Sequence, residues 1–371
     1  MRFPWDSGFF PWRRKFPAYK RGLLLQWHIT NRCQLRCAHC YQDEYGGAEL
    51  GFDSLMNILE QYRDLLGSPE GVGDSGHRGH LTITGGEPFA REDIWELLEV
   101  VAAHRDLFGF AILTNGYGMD SAAVGRLAQL RPRFIQVSME GTRETHDRIR
   151  GEGDYDRVVN ALRMMIRGGL ETMISFTAHS ENYWQFPDVA AQGRRLGVGK
   201  VWTDRMIPCG GAATSGVGVK PLDMDQTREY LQIIEEERRK AARGFFQRTQ
   251  VAADRALQFL AAGGRPYRCQ AGEGLITIMP DGSLYPCRRM PETVGNVMET
   301  PLAELYHGAE LFKNLRDKER VSQGCERCLY RRFCRGGLKC MSHVALGDPF
   351  LADPGCPLAG AGAQKEINTI L

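Results

Sequence analysis

The sequence predicts an α/β protein with a parallel sheet and crossover helices, joined to a small loop-rich, cysteine-rich module. Three observations carry this. Six short segments rich in β-branched and aromatic residues alternate with amphipathic stretches between residues 23 and 206. The alternation stops at a run holding Gly210, Gly211, Gly216 and Gly218. Seven of the 11 cysteines follow residue 268. A chain of 371 residues is expected to form about two domains.

The strand-like segments are 23–30, 80–84, 110–114, 134–138, 173–178 and 200–206. Helical periodicity fills 53–66, 91–104, 122–130, 156–167 and 188–196 between them. Six such units over about 180 residues suit either a doubly wound sheet or an incomplete β/α barrel, and periodicity does not choose. Residues 67–79 read as a surface loop. A charged helical stretch spans 224–260, where Glu235–Glu237 precede Arg238, Arg239 and Lys240 as a solvated face. Residues 275–278 and 283–285 read as a hairpin around Asp281-Gly282. The expected organisation is an aromatic and basic arm over 1–22 that packs on its own barrel, a barrel over 23–220, a helical bridge over 221–262 and a cysteine-rich domain over 263–371.

Composition narrows the class. A formal charge of +2 gives no field for nucleic acid or an anionic membrane. No apolar run reaches the roughly 18 residues of a span, and the first 20 residues hold no signal-peptide core. A chain this large buries its own core without disulfide staples, so clustered cysteines read first as metal or redox ligands.

Cys33-x3-Cys37-x2-Cys40 directly follows the first strand, where parallel α/β folds place active sites. Three thiolates on a 4Fe–4S cubane leave one iron open to a small chelating molecule. The alternative is a zinc site with His39 as fourth ligand, which is strained because His39 adjoins Cys40. Further motifs end the later strands: Thr84-Gly85-Gly86-Glu87-Pro88, Thr114-Asn115-Gly116, Gln136-Val137-Ser138-Met139-Glu140-Gly141 with His146-Asp147-Arg148-Ile149-Arg150-Gly151, and Arg205-Met206-Ile207-Pro208.

Together these resemble the radical S-adenosylmethionine (SAM) enzymes over residues 23–211. The resemblance implies a partial (β/α)6 TIM-like barrel, and a cluster on Cys33, Cys37 and Cys40 whose open iron binds SAM. Cofactor contacts are expected from Gly85, Gly86, Glu87, Asn115, Ser138, Glu140, Arg150 and Arg205. His39 stands where an aromatic residue is common, and Glu140 where Asp is commoner. The glycines are read as allowing close approach to the ligand, and Glu87 as accepting from its ammonium group.

The later cysteines, Cys269-x12-Gly282-x4-Cys287, Cys325-x2-Cys328-x5-Cys334-x5-Cys340 and Cys356, resemble the SPASM extension of that family. One spacing departs: five residues rather than three separate Cys334 from Cys340. The resemblance implies two auxiliary clusters, one on Cys269, Cys287 and Cys340 and one on Cys325, Cys328, Cys334 and Cys356. Cys209 is either the missing ligand of the first, a site thiol or a small buried residue.

The implied cofactors are SAM and three 4Fe–4S clusters. The implied activity is that of an oxidoreductase in which a 5′-deoxyadenosyl radical takes hydrogen from a ribosomally made peptide or a protein side chain. The partners would be that substrate, a separate leader-binding protein and an electron donor such as flavodoxin or ferredoxin, in a reducing cytoplasm. The alternative substrate is a haem-pathway tetrapyrrole, because the tail from Gly347 to Cys356 resembles such enzymes. Formylglycine formation fits poorly, since Arg288 and Arg289 stand where an acidic residue is expected after Cys287. A non-catalytic electron carrier or zinc scaffold would have no use for Glu87, Ser138 and an open cluster site.

Overall fold

A computed structural model describes residues 22–42, 44–67, 79–211, 219–243, 249–253 and 256–359. The expected arm, save residue 22, and the interior of the expected 67–79 loop lie outside these residues.

Six strands pair in parallel and in chain order: β1 (Leu24–His28), β2 (Gly79–Thr84), β3 (Phe108–Thr114), β4 (Ile135–Ser138), β5 (Thr172–Ala178) and β6 (Lys200–Arg205). The crossovers are α1 (Phe52–Gly67), α2 (Ile94–Ala103), α3 (Ser121–Leu130), α4 (Arg143–Arg150), α5 (Asp154–Arg167) and α6 (Phe186–Leu196). All six expected strands are present. Helix α4 escaped the periodicity reading because Ile149 is its one large apolar residue.

Register explains the burial. Leu25, Ile83, Ile112, Ile135, Val137, Ile174 and Val201 occupy one side of the pleat and are fully buried toward the helices. The opposite side carries Gln26, Leu113, Gln136, Ser138, Thr177 and Trp202, all half-exposed. A closed eight-stranded barrel fills that space with branched side chains. Here that side is mixed: Gln26, Gln136, Ser138 and Thr177 lie half-exposed with Leu113 and Trp202, while His28, Thr82, Ala111, Met173 and Ser175 are buried.

Three more strands extend the sheet to the order β7-β6-β5-β4-β3-β2-β1-β8-β9. The charged region expected to stay helical to 260 ends earlier, as α7 (Met224–Arg243). It gives way to β7 (Gln250–Ala252), which continues the buried row with Val251. Three residues are too few for a period to show. The expected hairpin forms between β8 (Leu275–Ile278) and β9 (Leu284–Tyr285). β8 also pairs in parallel with β1, placing Thr277 opposite Gln26, so the cysteine-rich module is joined to the barrel by hydrogen bonds. The remaining helices are α8 (Phe259–Ala262), α9 (Leu302–Gly308), α10 (Glu310–Arg316), α11 (Arg331–Cys334) and α12 (Lys339–Leu346).

A buried ion pair makes the second join. Arg205, at the end of β6 and among the cofactor contacts that the resemblance implies, has its guanidinium turned to Asp353, with Nη1 at 3.0 Å and Nη2 at 2.5 Å. Asp353 is fully buried and also accepts from the Leu338 and Gly355 amides. Glycines make room: a Cβ at Gly355 would lie 2.3 Å from Arg205 Nη1, and one at Gly337 2.3 Å from the Asp353 Cβ. Removing one partner of such a pair strands the other charge. Asp353→Ala is therefore expected to cost about 3–5 kcal/mol in denaturant unfolding, and Arg205→Met with Asp353→Leu to recover most of that; equal losses in single and double variants would contradict the pairing.

Candidate functional site

The cysteine loop leaves β1 and runs across the C-terminal ends of the strands. Irregular backbone buried this way needs a partner for each polar group. Ile29 N–H donates to the Thr84 carbonyl, Gly86 N–H to that of Thr30, Glu87 N–H to that of Arg32 and Ala38 N–H to that of Ile149. A Cβ at Gly85 would sit 2.4 Å from the Thr30 carbonyl oxygen, and one at Gly86 2.3 Å from that of Arg32. The backbone that these two glycines admit so closely is therefore that of the cysteine loop. Gly210 does the same from β6, where a Cβ would meet the Tyr41 carbonyl oxygen at 2.0 Å.

Cys33, Cys37 and Cys40 are all half-buried. Asn115 Nδ2 donates to Cys33 Sγ at 3.7 Å, and Gln42 N–H to Cys40 Sγ at 3.4 Å. Burial pushes the Cys37 thiol up to about 11, against the opposing pull of Arg150. The thiolate form must therefore be won by a metal, which displaces the proton.

Glu87 is fully buried. Its Oε1 accepts from Thr114 Oγ1 at 2.7 Å and from the Phe89 amide at 3.2 Å, while Oε2 accepts from the Asn115 amide at 2.7 Å. It thus ties the end of β2 to the turn after β3. Burial raises its pKa to about 7 despite these donors. Glu140 has the opposite balance: burial pushes up, but His39 and Arg150 outweigh it and hold the carboxyl at about 2. His39 Nε2 lies 3.1 Å and Arg150 Nη1 3.3 Å from Glu140 Oε1, and the Thr177 amide donates to Oε2 at 3.0 Å. Arg150 Nε also meets Asp154, which bonds His146 Nε2 at 2.9 Å. His146 Nδ1 accepts from the Glu140 amide, so its proton is on Nε2. Ser138 is half-exposed on the inward side of the pleat. His39, visible in the sequence as a candidate zinc ligand, instead meets Glu140; Asp154, Thr177 and Asn182, whose Nδ2 donates to the Glu140 carbonyl, were not singled out, because they belong to no motif and meet their partners only in the fold.

The C-terminal thiols form two groups. Cys325, Cys328, Cys334 and Cys356 line one cavity with Gly336, Gly337 and Asp353. Burial, together with Cys356, Cys334 and Cys328, pushes the Cys325 thiol up to about 12. Cys340, in the first turn of α12, is raised by burial and by Cys287 and Cys269, against the pull of Arg289. The two extra residues before Cys340 are absorbed where Arg335, Gly336 and Gly337 all take positive φ. The Gly336 and Gly337 amides then turn toward Cys334. Cys209 is buried beside Tyr41, on the side of Cys40. Among the described residues no three His, Cys, Asp or Glu groups converge on a single-ion point; a cubane takes each thiolate on its own iron.

Glu87 has a folded pKa above its unfolded value of roughly 4.3. In the ligand-free protein its stabilising contribution is complete below that value and lost as pH rises through about 7. Glu87→Gln should thus flatten the fall in stability between about pH 4 and 8, by on the order of 3 kcal/mol; a pH profile unchanged by the substitution would contradict this.

Comparison with known proteins agrees with this geometry. The Radical SAM superfamily pattern matches residues 27–192, and the SPASM iron–sulfur cluster-binding domain matches 269–329. The pre-heme d1 synthase of Dinoroseobacter shibae is 26% identical, covering 95% of this chain and 92% of its own. The PqqA peptide cyclase of Granulibacter bethesdensis is 27% identical, covering 93% and 89%. SuiB of Streptococcus suis, solved bound to the precursor peptide SuiA, shares the fold with a TM-score of 0.71 at 17% identity, over 91% of this chain and 76% of that one. The chain thus carries a Radical SAM superfamily domain over residues 27–192, followed by a SPASM iron–sulfur cluster-binding domain over 269–329.

Proposed function

We propose that this enzyme modifies a ribosomally made peptide or a protein side chain by radical chemistry in the open barrel interior. The observation that carries this is three half-buried thiols on one loop, at the mouth of an interior that presents half-exposed Gln26, Gln136, Ser138 and Thr177. Cys33, Cys37 and Cys40 fit a cluster with one open iron, since donors from Asn115 and Gln42 already face two of the sulfurs. When bound by these thiolates, a 4Fe–4S cluster would supply the one electron for reductive cleavage of SAM to methionine and the 5′-deoxyadenosyl radical that takes hydrogen from the substrate.

The chain's own residues divide by task. Gly85, Gly86 and Ser138 are assigned to the SAM surface. Glu87, Asn115, Glu140 and Arg150 hold the loop: the first two fix the β2 and β3 ends, the last two grip it through His39 and act on Cys37. Arg205 serves the join to Asp353. Cys325, Cys328, Cys334 and Cys356 hold one further cluster, and Cys269, Cys287 and Cys340 another, for three in all. Flavodoxin or ferredoxin donates the electron, a separate protein presents the peptide leader, and the reducing cytoplasm keeps the clusters intact. No helix among the described residues is long and apolar enough to cross a membrane.

Anaerobic iron analysis tests the cluster set. About twelve irons are expected in the wild type and about eight after Cys33, Cys37 and Cys40 are all changed to Ala, with the SAM-responsive EPR signal lost in that variant. Zinc in place of iron, or clusters blind to SAM, would overturn the proposal.

A tetrapyrrole substrate is the second reading, favoured by similarity to the pre-heme d1 synthase over nearly the whole chain. Mass analysis of products from candidate precursor peptides and from porphyrins separates the two. Modified peptide with untouched porphyrin is the expected outcome, and the reverse would establish the second reading.

A further inference from the structure

Buried arginines in this fold come with carboxylates. Arg91 has Asp93, Arg150 has Glu140 and Asp154, Arg205 has Asp353 and Arg335 has Glu273. Arg288 differs. It is 7% exposed, ion-pairs with no carboxylate among the described residues, and its Nε is buried without a hydrogen-bond partner. Its Nη2 donates to the Tyr41 carbonyl at 2.9 Å, and its guanidinium lies 4.8 Å from the centre of the Tyr41 ring. One carbonyl and one ring face do not neutralise a buried guanidinium.

The neighbouring Arg289 does not share this position. It pairs with Asp204, and its charge acts on Cys287 and Cys340. The two arginines are the central residues of a turn closed by Met290 N–H on the Cys287 carbonyl at 2.9 Å, and their side chains take different partners: Arg289 serves the C-terminal thiols and Arg288 faces Tyr41. His28 meets the same ring edge-on, with centroids 6.1 Å apart. It belongs to the inward row of β1 with Gln26, and its Nε2 is also buried without a partner. Burial, with the charge of Arg288, holds this imidazole neutral. Thr277, inward on β8 opposite Gln26, adds a buried Oγ1 without a partner. Three unsatisfied polar groups thus gather along the β1–β8 seam, between the residue after Cys40 and the residue after Cys287.

We propose that Arg288 and His28, with Thr277, form a subsite for a carboxylate of the substrate. The planar guanidinium suits a carboxylate. One cation, a neutral ring and a hydroxyl suit a monoanion better than a phosphate dianion. The subsite rests on the reading of the interior as the substrate chamber, and the carboxylate belongs either to an acidic side chain of a peptide or to a tetrapyrrole propionate.

The test uses reconstituted, dithionite-reduced holoprotein and propionate labelled with 13C at the carboxyl. Reduced clusters speed relaxation of a nearby carbon. Wild type should enhance relaxation of propionate but not of propionamide. Arg288→Gln should weaken propionate binding by at least about tenfold, the size of a lost charged hydrogen bond. His28→Phe, which keeps the ring edge on Tyr41, should weaken it about threefold, while Arg126→Gln, on the surface, should not change it. If Arg288→Gln loads less iron, His28→Phe decides. Equal enhancement of propionamide, variants that bind like wild type, or an Arg288→Gln effect confined to a cluster midpoint potential would overturn the subsite. Displacement of labelled propionate by a glutamate-containing pentapeptide or by coproporphyrin supports it and names the source; displacement by neither overturns it as a substrate site. Iron content and SAM cleavage are read in the same samples. Their failure would overturn the radical reading, whereas their success without propionate binding would overturn only the subsite.

Discussion

Everything at the mouth of this barrel depends on burying an irregular loop between Ile29 and Gln42. A helix satisfies its own amides and a strand those of its neighbour; a loop has no such ladder, and each unmet buried group costs free energy. The loop is met from β2 by two glycines that let the Thr30 and Arg32 carbonyls come within reach of the Gly86 and Glu87 amides. It is met from β4 by Glu140 through His39, and from β6 by the 209–211 turn against Tyr41. The loop that carries the three cysteines is therefore held against the strand ends by the chain itself.

The same arrangement sorts the buried carboxylates. Glu87 is met by neutral donors, and burial wins, so its pKa rises to about 7. Glu140 has His39 and Arg150, and the charges win. Two glutamates at the ends of β2 and β4 thus differ widely in acidity because one is met mainly by dipoles and the other by cations. Arg150 belongs to both systems: it fixes Glu140 and Asp154, and its field reaches Cys37. The C-terminal module is tied in through β8 and through Arg205 with Asp353, so its thiols are placed relative to the barrel by hydrogen bonds and an ion pair.

Much of this was legible in the sequence where the cause is local. The six strands and most crossovers show as periodicity, because each buries one face. The cysteine spacings show as spacings, because chelation by one loop is local. Roles that depend on distant partners did not show. Gly85, Gly86 and Glu87 were visible as a motif, yet what they touch is the cysteine loop and the turn after β3. Arg205 was visible at a strand end, but its partner is 148 residues away. The five-residue spacing before Cys340 looked like a shift in register, and three residues of positive φ absorb it.

By itself the sequence determined the parallel α/β class, the two cysteine-bearing regions and the chemistry their thiols can support, because period, composition and short spacing are written along the chain. Only the tertiary structure decided that β7 and β8 extend the barrel sheet, that His39 answers Glu140, and that Arg288 is left without an anion beside His28 and Tyr41. Each of those depends on which strand lies next to which and on which side of the pleat a residue falls. A three-residue strand, or an arginine 247 positions from the carbonyl it meets, carries no local mark of its neighbour.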